Sequence, residues 1–408
     1  MDNSIVRFSA GANTLSIYIH VPFCVRRCTY CDFYSTVCAP DDKRVQDFFD
    51  SLLKHIRAAA QMPCYRDRLV TAIYFGGGTP SYVYERLSTS LAEICKSFSV
   101  AEDCEISFEA NPDSFSSDAA MQLKLAGFNR VSVGVQSLNE GMLEALGRSH
   151  STQQAFATLE IAHDLGFRTS ADIMLGLPGD SLPTTDQWER LLPLIGHIAI
   201  YPLTVEEGTQ LYEMVDEGNF KIPDDEQVAT EVLALQRLVE SHGFQRYEIS
   251  SYARPSQESR QNLRYWIGGI DGDYLGLGPS AASMSNLPDG GRHRFVAWET
   301  LEDFVNHNTG HSINNPSEGE LLTASEARRE DIMLALRTSK GISGAAIAQS
   351  NLCALCDELL EKGLLETYPS SEFELAHSQE MAESVHYRCT QEGWLLANIV
   401  FSTVWLAS

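Results

Sequence analysis

Basic side chains are scarce in this chain of 408 residues: 30 Lys and Arg stand against 55 Asp and Glu, a formal net charge of −25. That deficit argues against non-specific binding of nucleic acid or an anionic membrane, both of which need a cationic surface. An anionic ligand therefore has to be met by a local group of Arg and Lys. Long apolar runs are missing as well, so no stretch of about 18 residues reads as a transmembrane helix. The N-terminal MDNSIVRFSAGANT lacks the apolar core of a signal peptide. No repeat of fixed period, no low-complexity tract and no glycine loop with the Lys of a nucleoside-triphosphate site occurs. Cysteine, by contrast, is plentiful, with ten residues at 24, 28, 31, 38, 64, 95, 104, 353, 356 and 389. Without a secretion signal these read as reduced thiols and candidate metal ligands, not as a disulfide framework. A cytoplasmic protein with no nucleic-acid partner is expected.

Length and composition fit one large α/β domain and a smaller one. Over the first 200 residues, short β-rich runs (15–20, 71–75, 105–109, 130–135, 169–175 and 197–201) alternate with helical patterns (45–60, 85–98, 119–126, 153–165 and 185–194). Alternation at this spacing predicts βαβ units and a parallel sheet. Six units suggest a partial (β/α)6 barrel, with an open doubly wound sheet as the other option. A helix over 225–242 follows. Residues 251–300, rich in Gly, Ser and Pro, are expected to be an irregular capping segment after a core of residues 1–250. Residues 301–408 read as a small, mostly helical domain, winged-helix-like.

The densest chemical signal is Cys24-Val-Arg-Arg-Cys28-Thr-Tyr-Cys31, directly after the first strand. Three thiolates so placed can hold three irons of a [4Fe–4S] cluster, leaving the fourth open to a small molecule. The same spacing also puts three small residues on one helix face, but Pro22, Arg26, Arg27 and the upstream strand favour a loop. Zinc is disfavoured because no fourth ligand lies nearby at the usual spacing. Other strand ends carry Gly76-Gly77-Gly78-Thr79-Pro80, whose glycines permit close backbone approach and N–H groups facing a ligand. They also carry Glu109-Ala-Asn111-Pro112, Gly134-Val-Gln136-Ser137 with Arg148 beyond it, and Asp172 followed by Gly176-Leu-Pro178-Gly179. The carboxyl edge of such strands is where α/β sheets bind ligands.

CxxxCxxC followed by GGGTP resembles the radical S-adenosylmethionine superfamily. ExNP (109–112), GVQS (134–137), LGRxH (146–150), GLPG (176–179), YPLTVEEGT (201–209), RYEISSYA (246–253) and DYLGLGPSAAS (273–283) extend the likeness over nearly the whole chain. They resemble the subgroup of oxygen-independent coproporphyrinogen III oxidases and related heme chaperones. The resemblance implies a cluster on Cys24, Cys28 and Cys31, and S-adenosylmethionine against Tyr18, Tyr30, Gly77, Gly78, Thr79, Glu109, Gln136, Arg148 and Asp172. It implies one-electron cleavage chemistry supplied by the cofactor, an electron donor, heme or another tetrapyrrole as ligand, and recipient hemoproteins.

Only 23 residues precede Cys24, and Phe33 stands where the oxidase has a further Cys. By the resemblance both features point to a chaperone and away from coproporphyrinogen oxidase activity. The competing expectation is a radical enzyme acting on a tetrapyrrole by oxidative decarboxylation. The chaperones' His-Asn-x-x-Tyr-Trp is here Gln261-Asn262-Leu263-Arg264-Tyr265-Trp266. This leaves a candidate heme-binding region (Gln261, Asn262, Tyr265, Trp266) without imidazole, a strong axial ligand that an amide does not replace. Ala282 occupies the place of a second family His. His293, His242 and Met284 are substitute ligands to weigh against structural roles. Arg260, Arg264, Arg292 and Arg294 are either propionate partners or ordinary surface charge.

Overall fold

The computed structural model describes residues 13–178, 182–306, 319–369 and 385–407. Strand β1 (Thr14–Val21, TLSIYIHV) is buried along both faces, as a central parallel strand must be. Strands β2 (Leu69–Gly77), β3 (Ser99–Ala110), β4 (Arg130–Gln136), β5 (Arg168–Leu175) and β6 (His197–Pro202) follow, each parallel to its predecessor. Between them run α1 (Lys43–Ala60), α2 (Tyr84–Ser97), α3 (Ser117–Ala126), α4 (Thr152–Asp164) and α5 (Thr185–Leu191). Local chemistry fixes several helix starts. The side chains of Asp42, Ser116, Ser151 and Thr184 accept from first-turn amides that the helix leaves unpaired. The partial barrel expected from the alternation is therefore present, and all its βα turns open at one edge of the sheet.

Both ends of that sheet extend further than the sequence suggests. Beyond β6 and α6 (Asp225–Ser241) come the antiparallel strands β7 (Gln245–Arg246) and β8 (Ser251–Ala253). Residues 250–300 are not irregular. They form α7 (Arg260–Asp271) and strands β9 (Asp273–Leu277), β10 (Ala282–Asn286) and β11 (Arg292–Val296). Strand β9 lies parallel to β1, and β10, β11 and β12 (Glu320–Leu322) continue antiparallel. Gly276, Ser283 and Ser285, which read as loop, are strand residues here, because pairing in the sheet outweighs weak local propensity.

Beyond residue 319, α8 (Ala324–Ala335) and further helices surround a three-stranded antiparallel sheet of Ile342–Ser343, Val385–Cys389 and Leu365–Pro369. Ile332, Leu336, Leu359, Val400 and Phe401 give this unit its own core. Cys356 and Cys389 are buried in it, whereas Cys353 is exposed. Cys95 is exposed as well.

The arginines of β11 join the two parts. Arg292, 2% exposed, pairs with Glu330 and, at 2.6 Å, with Asp331; Arg294 pairs with Glu330 and Glu320. Helix α7 comes so close that a Cβ at Gly269 would lie 1.9 Å from the Arg292 guanidinium. Removing one partner of a buried pair costs about 3–5 kcal/mol because the other charge stays buried. Arg292→Met is therefore expected to lose that much stability, read as a lowered urea midpoint; a midpoint within experimental error of wild type would refute it.

Candidate functional site

The loop from Pro22 to Ser35 hangs over the carboxyl edge of the strands and is tied down on two sides. On one, Gly78 N–H donates to Val21 O (2.9 Å) and Thr79 N–H to Phe23 O (2.8 Å). A Cβ on Gly78 would fall 2.8 Å from Phe23 N, so only glycine lets these backbones meet. On the other, Thr29 N–H donates to Leu146 O (3.1 Å), and Gly147, at φ +70°, lets the LGRxH turn approach Thr29. The two attachments aim Cys24, Cys28 and Cys31 into one cleft of about 470 Å³. All three thiols are free and half-buried. Burial pushes the Cys24 thiol up to about 11 and raises that of Cys31, so both hold their protons until a metal displaces them. Among the described residues no three His, Cys, Asp or Glu side chains converge on a point suited to a single ion. Cluster thiolates each bind a separate iron, so the three need only line a common rim.

Tyr30, Gly77, Gly78, Thr79, Glu109, Gln136, Arg148 and Asp172 line the same cleft. Glu109 accepts from Tyr74 OH (2.9 Å) and Gly77 N–H (3.1 Å). Burial lifts its carboxyl to about 7, with Asp172 adding to the rise and the Tyr74 bond opposing it. Asp172 accepts from Ser132 OH (2.9 Å), and burial lifts it to about 6. A register shift between β4 and β5 turns Gln136 inward at φ +63°, where Tyr201 OH donates to its Oε1 at 2.6 Å. Arg148 reaches across the cleft, donating to Asn111 Oδ1 (2.8 Å), Gly134 O (2.9 Å), Cys28 Sγ (3.4 Å) and Tyr30 OH (3.5 Å). Its Nε is enclosed and has no hydrogen-bond partner within the protein.

Three expectations change. The amides of Gly77 and Gly78 do not face the cleft as free donors, since they are donated to Glu109 and Val21. Tyr18 does not line the cleft; it stacks on Tyr74 and meets His20 Nδ1 through its hydroxyl at 3.3 Å. The GLPG turn is described only through Pro178, and Gly179 lies outside the described residues. Tyr74, Ser132 and Met174 line or brace the site and were not singled out from sequence, while Tyr201, which opens the YPLTVEEGT motif, was given no site role there. The signal for them was their place one or two positions from a motif residue on an inward strand face. His20 sits against Gly77: a Cβ there would lie 2.6 Å from the imidazole, on a backbone at φ +105°. Gly77→Val is thus expected to displace the loop. We predict a loss of cluster uptake while far-UV circular dichroism stays native, and normal uptake would refute this.

Helix α7 lies at the opposite end of the strands. Arg264 donates to Thr14 Oγ1 and Thr71 Oγ1 at the starts of β1 and β2, and Arg260 pairs with Asp103. Gln261 is 1% exposed, and its amide, beside the Tyr265 phenol, makes no hydrogen bond of normal geometry. Asn262 donates to Tyr247 OH (3.3 Å) and Trp266 to Glu248 (3.1 Å). The four arginines are engaged within the protein, not gathered on a surface. His293 is buried against Phe295, Met284 is buried in β10, and His242 closes α6 by bonding Leu238 O.

Residues 18–192 match the radical SAM superfamily. The chain is 31% identical over 402 residues to "Heme chaperone HemW" of Bacillus subtilis, an alignment covering 95% of this chain and 98% of that protein. It is 36% identical over 301 residues to "Radical S-adenosyl methionine domain-containing protein 1, mitochondrial" of Danio rerio, covering 71% of this chain and 65% of the relative. The solved structure titled "Coproporphyrinogen III oxidase (HemN) from Escherichia coli is a Radical SAM enzyme" superposes with a TM-score of 0.74 at 22% identity, over 97% of this chain and 91% of that one. That likeness carries the fold: an α/β parallel-strand sheet with a C-terminal unit. Among the described residues no helix is long and apolar enough to cross a membrane. With the relationship to the Bacillus protein running end to end, the chain belongs to the radical SAM superfamily and, within it, to the family of the HemW proteins.

Proposed function

We propose that this protein is a heme chaperone that holds a [4Fe–4S] cluster on Cys24, Cys28 and Cys31 and S-adenosylmethionine in the adjoining cleft, and that it passes heme to hemoproteins. The observation that carries the proposal is the gathering of three free thiols, two half-buried carboxylates and a half-buried guanidinium around one cleft. These groups suit the ligands by chemistry. Glu109 and Asp172 accept hydrogen bonds from amine and hydroxyl donors, and the Arg148 guanidinium brings positive charge to the cleft wall for a carboxylate. Tyr30 and Met174 add apolar surface to the cleft lining. Bound together, cluster and S-adenosylmethionine supply one-electron chemistry, with an external protein as electron donor.

Heme ligation at Gln261 would require α7 to leave the barrel, because that side chain is 1% exposed. A second reading, a radical enzyme acting on a tetrapyrrole, is favoured by the full set of cofactor-type groups at the strand ends. One anaerobic preparation separates the two. The chaperone reading expects heme titration to give a shifted Soret band that saturates at a fixed stoichiometry. Absence of that band, together with turnover of coproporphyrinogen III, reverses the order.

A further inference from the structure

Thr79 and Asn111 lie between two of the cysteines without being candidates for cluster ligation themselves. Thr79 Oγ1 donates to Cys24 Sγ at 3.5 Å. The same oxygen accepts from Asn111 Nδ2 at 3.4 Å, which fits a hydroxyl with one proton to give and lone pairs to receive. Asn111 Oδ1 accepts from Arg148 Nη2 at 2.8 Å, and Arg148 Nη1 donates to Cys28 Sγ at 3.4 Å. A continuous arc of hydrogen bonds thus runs from one thiol to another through Thr79, Asn111 and Arg148. Asn111 is the only member of the arc that bonds both of the groups donating to sulfur. It is itself held, because its backbone N–H donates to Ser81 Oγ at 3.1 Å.

We infer that Asn111 is a positioning residue: it orients the Thr79 hydroxyl and the Arg148 guanidinium toward the sulfurs of Cys24 and Cys28, and so raises the reduction potential of the cluster. The inference rests on the proposal that these cysteines hold a cluster. One-electron reduction adds a negative charge to the iron–sulfur core, and hydrogen bonds to its sulfurs stabilise that charge. An amide suits the position because it offers both a donor for the hydroxyl and an acceptor for the guanidinium. Aspartate would lose the donor and draw the Thr79 proton away from Cys24. Leucine would lose both.

The test is anaerobic reconstitution with iron and sulfide, followed by redox titration with dithionite and mediators, monitored by electron paramagnetic resonance. Asn111→Ala and Thr79→Val are expected to incorporate wild-type amounts of iron and to show midpoints more negative than wild type. Thr79→Ser, which keeps the hydroxyl, is expected to restore the wild-type midpoint. The double variant should shift by less than the sum of the single shifts, because Asn111 acts partly through Thr79. Thr79→Val preserves side-chain shape and carries the test if Asn111→Ala fails to fold. Fully loaded variants with unchanged midpoints overturn this inference alone. A wild-type protein that takes up no cluster overturns it together with the proposed function.

Discussion

Replacing Cys28 by Ala is expected to abolish the broad iron–sulfur absorption of the reconstituted protein and to leave the fold intact. The loss should be complete, since two thiolates leave two corners of a cubane without protein ligands. The fold should survive because Cys28 is half-buried and its thiol serves one hydrogen bond, from Arg148, whose other partners remain in place. A cost below about 1 kcal/mol is expected for such a site, read as a nearly unchanged urea midpoint for the apoprotein. Cys353→Ala is the control, an exposed thiol of the C-terminal unit whose loss should change neither iron content nor spectrum. A triple variant at Cys24, Cys28 and Cys31 that still took up a full cluster would remove the site assignment altogether.

How far this site could be read from sequence follows from the range of the forces that build it. The triplet, Glu109 and Gln136 were legible because each stands at or just beyond a strand end, with Asp172 in the second half of a strand and Arg148 in the turn after the next helix. A parallel sheet brings its strand ends to one edge whatever the helices between them. What the glycines do was not legible. Their pattern signals close approach, but it does not say that Val21 and Glu109, 57 and 32 residues away, would take the amides of Gly78 and Gly77. Tyr18 sits three residues from the strand end and falls behind the cleft, a depth that motif spacing does not encode. Residues 260–296 were misread for a related reason. Their short apolar runs become strands only beside β1, and Arg292 and Arg294 become a buried ionic network only once α8 brings Glu330 and Asp331 to them. A cluster of arginines in sequence is the same string whether its partners are a ligand's carboxylates or the protein's own.

The two half-buried carboxylates of the cleft give the second large effect, a pH dependence of cofactor affinity that opposes the pH dependence of stability. Burial raises Glu109 to about 7 and Asp172 to about 6. Between the unfolded-state values near 4 and these folded ones, the native protein binds more protons than the unfolded chain, so the contribution of both groups to apoprotein stability falls as pH rises through that window. Ligand binding should run the other way. The carboxylates accept hydrogen bonds from amine and hydroxyl groups more strongly when ionised, and S-adenosylmethionine brings a positive sulfonium that favours the ionised forms. Going from pH 8 to pH 6 protonates most of Glu109 and about half of Asp172. Affinity measured by anaerobic calorimetry is therefore expected to fall roughly 20-fold, with proton release on binding that grows toward the lower pH. Glu109→Gln should flatten that profile. It should also weaken binding about 10- to 100-fold at pH 8, since a hydrogen bond to a charged group is worth about 1.5–3 kcal/mol and each 1.4 kcal/mol is a factor of ten. At pH 8 the same variant should make the apoprotein more stable than wild type, because a neutral amide fills the buried site without the cost of burying a charge. Tighter cofactor binding at pH 6 than at pH 8, or an apoprotein destabilised at pH 8 by Glu109→Gln, would show that these carboxylates do not serve the cleft in the way their surroundings imply.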